Sequence, residues 1–132
     1  MHKHQPAGGR LVTFDVVPWR DVEDHVLREQ DIVPGLFEQR LGDLSDPAVM
    51  EVHRSLLEEA EFFFIDGPKD NVFEYRLMVT MKGLRFQGRP ILMFDDTRLM
   101  SMIRFWDELA HPKLDVTSFA HWSGSGLVEW SA

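Results

Sequence analysis

Apolar residues change their spacing several times along the chain, and each change marks an element. In "RLVTFDVV", residues 10–17, Val12, Phe14 and Val16 alternate with Thr13 and Asp15, which is the period of a strand. Pro18 ends it, and Trp19, Val22 and Val26 follow at helical spacing in "WRDVEDHVLREQ". "PGLFEQRLG" reads as a short helical turn between Pro34 and Gly42. The strongest helix comes next. Asp46 is a good N-cap and Pro47 suits the first helical position. Val49, Val52, Leu56, Ala60 and Phe63 then recur at spacings of three and four.

"VFEYRLMVTM", residues 72–81, sets Phe73, Tyr75, Leu77, Val79 and Met81 on one face and Glu74, Arg76 and Thr80 on the other, so it predicts a half-buried strand. "LRF" and "ILMF" flank "QGRP" as the arms of a hairpin. "DDTRLMSMIRFWDELAHP" predicts a helix capped by Asp96 or Thr97 and stopped by Pro112. Its buried face is Leu99, Met102, Ile103, Trp106, Leu109 and Ala110. "DVTSFAHW" and "LVEW" read as short strands around the turn "SGSG". The element order is β-α-α-α-β-β-β-α-β-β. Hairpin turns dominate the strand connections, which predicts an α+β fold: an antiparallel sheet of about four to six strands with helices on one face. Residues 1–9 read as a flexible arm and residues 10–132 as a single domain.

The run Phe62–Ile65 fits neither neighbour cleanly. At ~100° per residue, a helix continuing through it puts Phe63 and Phe64 on or beside the stripe and leaves Phe62 and Ile65 on the opposite side, near Glu58 and Arg54. A strand would pair Phe62 with Phe64 and Phe63 with Ile65. The helix is preferred, because a helix rarely passes into a strand with no connection. Phe62 and Ile65, with Glu58 and Arg54, are then the first choice for a partner contact.

Composition narrows the chemistry. The chain has 132 residues, 44% hydrophobic and 27% charged, enough for a core without staples. It has no cysteine, which removes disulfides, thiolate metal sites and cysteine nucleophiles. The net charge is −8, and residues 20–61 carry it, with four arginines against twelve acids. Residues 75–94 hold Arg76, Lys82, Arg85 and Arg89 and no acid. An acidic surface disfavours free nucleic acid and suits a partner with a basic surface. With no signal peptide and no membrane-spanning apolar run, a cytoplasmic protein is expected.

Motifs add little. No phosphate-cradling glycine loop, zinc-ligand spacing or nucleophile elbow occurs, and no metal or cofactor is expected. Asp95 and Asp96 stand at a strand-to-helix junction, where one caps the helix or a carboxylate faces a pocket beside Phe94 and Trp106. His121, alternating with Phe119, is a rim residue or a general base. Trp106, Trp122, Met93 and Met102 are candidate pocket walls, though each also fits a core pattern. Two functions fit. The first is a small acidic intracellular interaction protein, a regulator, inhibitor or immunity-type protein that binds another protein and forms a homodimer. The second is a small-molecule binder or cofactor-independent enzyme using Asp95, Asp96 and His121 for acid–base work.

Overall fold

The computed structural model describes residues 8–119 and 122–131. They form two compact units, one up to Leu44 and one from Ser45 onward. Helices and strands mix in an α+β fold, with a two-stranded and a four-stranded sheet.

In the first unit, β1 (Leu11–Asp15) runs parallel to β2 (Phe37–Leu41). The expected helix from Trp19 is absent. Only 3-10 turns form, at Trp19–Asp21 and Glu29–Asp31. Val22 and Val26 of the supposed stripe are exposed, and Asp24 adopts a left-handed φ of 57° that interrupts any helix. The predicted helical turn after Pro34 is instead β2, whose Phe37 is buried. Gln39 clamps the chain leaving β1. Its Oε1 accepts from Trp19 N–H at 2.7 Å and its Nε2 donates to the Val17 carbonyl at 3.2 Å.

The second unit opens as the sequence predicts. Asp46 accepts from Ala48 N–H at 2.8 Å, and Pro47 begins α1 (Pro47–Val52). The helix breaks at His53 and resumes as α2 (Arg54–Glu58). Three residues, Glu59, Ala60 and Glu61, separate its end from β3 (Phe62–Ile65), so the apolar run is a strand, not a helix. Alternation then exposes Phe62 and Phe64 and buries Ile65, so Ile65 is not the outward contact that a helix would make it.

The largest departure is α3 (Val72–Met81), expected as a strand. Its buried positions are Glu74, Leu77, Met78 and Met81, the spacing of one helix face. Asp70 Oδ1 accepts from both Val72 N–H and Phe73 N–H at 2.9 Å, which fixes the first turn. With a helix there, β3 can reach β4 (Ile91–Asp95) by a crossover. The two strands pair in parallel, Phe62 opposite Ile91 and Ile65 opposite Phe94. The "LRF" arm forms no strand.

After α4 (Met100–Glu108) come β5 (Lys113–Asp115) and β6 (Ser125–Glu129). β6 lies between β4 and β5 and is antiparallel to both, giving the order β3-β4-β6-β5. The sheet is therefore mixed rather than purely antiparallel. Asp96 and Thr97 do not cap α4, which starts three residues later after Leu99. Its buried residues are Met102 and Phe105, while Ile103 is exposed. Phe105 packs on Phe94 of β4 and edge-on against Tyr75 of α3, at ring separations of 5.1 and 5.2 Å. Gly126 of β6 lies against the Trp106 ring, which fills the space that any β-carbon would need. No helix among the described residues is long and apolar enough to cross a membrane.

Candidate functional site

Parallel strands bring their carboxyl ends together, and both β3 and β4 end on acids. Asp66 follows Ile65, Asp95 ends β4, and Asp96 follows it. One carboxylate oxygen from each of Asp66, Asp95 and Asp96 lies within 4.8 Å of the others. This is the end of a parallel pair where α/β sheets place their ligands. The Lys69 ammonium reaches into the group. It pairs with Asp66 and, at 3.2 Å, with Asp96 Oδ2. Ser125 Oγ donates to Asp95 Oδ1 at 3.3 Å from the neighbouring β6.

The backbone here is held in costly conformations. Lys69, Asn71 and Asp96 all have positive φ, at 55°, 64° and 59°. Such non-glycine residues persist only where the surroundings over-determine them, and they concentrate at functional sites. Lys69 is mostly buried, with 18% of its side chain exposed. Burial pulls its pKa down, but hydrogen bonds and charge from Asp66 and Asp96 outweigh that and leave it raised.

The other sequence candidates scatter. Trp122 is exposed, Met102 is buried in the core, Met93 is half-buried, and Trp106 lies against Gly126 with the Lys113 ammonium 5.3 Å from its ring. His121 lies outside the described residues. Arg54 bonds Glu51, Glu58 and the Gly83 carbonyl, and Glu58 also accepts from Arg85 N–H at 2.9 Å. That pair therefore ties α2 to the segment after α3. A surface cavity of about 440 Å³ lies at the opposite, amino end of β3 and β4, lined by residues 59–61 and 87–90, and includes none of these candidates.

Sequence reading found Asp95 and Asp96 but missed Asp66 and Lys69, and it expected no metal set. The three acids are far apart in sequence and meet only through parallel pairing, so no spacing motif announces them. The available signal was that two wholly apolar runs, "FFFI" and "ILMF", each end directly on aspartate. Compared with known proteins, the chain matches no family model and no curated protein.

Proposed function

We propose that the chain binds, and acts on, a small oxygen-bearing molecule at the carboxyl ends of β3 and β4, through a hard divalent cation held by Asp66, Asp95 and Asp96. The observation that carries this reading is the convergence of three carboxylates and one lysine on two left-handed loops. Three clustered carboxylates and one ammonium leave excess negative charge that a divalent cation would balance. An ion such as Mg²⁺ takes about six oxygens, so three protein ligands would leave positions for water or substrate oxygens. With the carboxylates engaged by the cation, Lys69 would lose what now raises its pKa, while burial would still lower it. It could then accept a proton from a substrate hydroxyl, and a cation held by Asp66, Asp95 and Asp96 would supply charge stabilisation at the site.

Titration calorimetry with Mn²⁺ or Mg²⁺ tests the reading. Saturable one-site binding is expected, weakened about tenfold or more, ~1.4 kcal/mol, by Asp66→Asn, Asp95→Asn or Asp96→Asn. No binding at millimolar cation, or equal affinity in all three variants, would remove the proposal.

A second reading, the interaction protein, is favoured by β3. It is the outer strand of its sheet, and Phe62 and Phe64 are 54% and 57% exposed. Edge strands in soluble proteins usually carry charge, proline or a bulge, and this one has none. On this reading a protein, or a second copy, covers it. Sedimentation at tens of micromolar checks the self-pairing form: the wild type should be a dimer and Phe62→Lys/Phe64→Lys a monomer. A monomeric wild type would end the homodimer.

A further inference from the structure

One buried acid is not used by this site. Glu74, in the first turn of α3, is 1% exposed. Its Oε1 accepts from the backbone N–H of Lys69 at 3.1 Å, and its Oε2 has no partner among the described residues. Helix capping alone does not require this arrangement. Asp70 already accepts from Val72 and Phe73 N–H, and a solvated glutamate would serve a cap without losing its water. What Glu74 holds is the one backbone N–H of a lysine forced to φ 55°.

We infer that Glu74 is a positioning residue for Lys69: its buried carboxylate fixes the left-handed turn that carries the Lys69 ammonium onto Asp66 and Asp96. The inference rests on the proposal that this lysine–carboxylate cluster is the functional site. Three ties act on the same short loop. Phe73 closes over Gly67, leaving no space for a β-carbon there. Asp70 binds the loop to the helix start, and Glu74 reaches back past it to Lys69. The first two set where the loop enters α3. The third sets the torsion of the residue whose side chain enters the cluster. A conformation that costs an ordinary residue free energy needs such a hydrogen bond to persist, and a side chain of four methylenes follows its Cα direction at the far end.

The test is a carbon-13 NMR titration of uniformly labelled protein, reading the Cε shifts of its four unmodified lysines, with Lys69 assigned through Lys69→Arg. In the wild type, Lys69 should titrate above the ordinary lysine value of ~10.4. Glu74→Gln keeps an acceptor oxygen and should leave Lys69 titrating as in the wild type. Glu74→Ala should return it toward the ordinary value. Glu74→Asp withdraws the acceptor by one methylene and should do the same, which keeps the question open to measurement if Glu74→Ala does not fold. A folded Glu74→Asp or Glu74→Ala protein with Lys69 unchanged would overturn the inference, because a purely structural acid would alter the melting temperature alone. A wild-type Lys69 that titrates like a free lysine would instead overturn the cluster on which the inference stands.

Discussion

Phe94→Ala should lower the unfolding free energy by about 3–5 kcal/mol, the usual cost of removing a buried phenylalanine. Phe94 is fully buried on β4, with Ile65 of β3 and Gly126 of β6 as its register partners on either side. Its ring lies 5.1 Å from that of Phe105, so it also seats α4 on the sheet. A glycine on one flank cannot fill the cavity left behind. Domains of this size are stable by about 5–15 kcal/mol in total, so the loss is a large share. Urea unfolding followed by tryptophan fluorescence measures it. Val52→Ala, at a position 78% exposed, should change stability by no more than about 0.5 kcal/mol and serves as the control. A Phe94→Ala cost below about 1 kcal/mol would mean that β4 is not the centre of the core.

Lys69→Met should tighten divalent-cation binding about 10- to 100-fold, contrary to the usual effect of changing a site residue. In the wild type an incoming cation must displace the Lys69 ammonium from Asp66 and Asp96. Opposite charges about 4 Å apart attract by roughly 4 kcal/mol at an effective dielectric of about 20, and much of that returns when the freed ammonium is solvated. The remainder opposes the cation. Removing the ammonium removes the competition and takes from Asp96, whose side chain is only 21% exposed, its ion pair with Lys69. The cation-free variant should therefore melt below the wild type, and added Mn²⁺ should raise its melting point further than it raises the wild type's. Calorimetry and thermal unfolding with and without Mn²⁺ check both signs. Equal or weaker binding in Lys69→Met would mean that lysine and cation do not share one position.

Local signals in the sequence translated well. The Asp46–Pro47 start, the strand "ILMF", the helix within "DDTRLMSMIRFWDELAHP", and the strand "LVEW" all lie where spacing places them, within a few residues. Two segments broke the larger reading: Phe62–Ile65, preferred as a helix, is a strand, and Val72–Met81, read as a strand, is a helix. "VFEYRLMVTM" satisfies period two through Phe73, Tyr75, Leu77, Val79 and Met81, and period 3.6 through Glu74, Leu77, Met78 and Met81. Its aromatic and β-branched residues favour the first. Asp70, two residues before the helix, decides for the second. Taking Phe62–Ile65 as a helix removed β3, and taking Val72–Met81 as a strand removed the crossover from it to β4. The antiparallel sheet followed from that, and the meeting of Asp66 with Asp95 and Asp96 was lost with it. Charge typing could not recover it, because Asp66 and Lys69 read as loop residues until the strands are set side by side.

The position of β6 has a consequence for how the chain is made. A ribosome delivers β3, β4, α4 and β5 before β6, yet among the described residues β6 is the only strand beside β5, and it fills the place between β5 and β4. Until Ser125–Glu129 emerges, β5 has no strand to pair with among the described residues, and the flank of β4 that faces β6 stays open. Ser125, the donor to Asp95, comes with that same segment. Closing the sheet and bringing the Ser125 hydroxyl to the carboxylate cluster thus wait on the same strand.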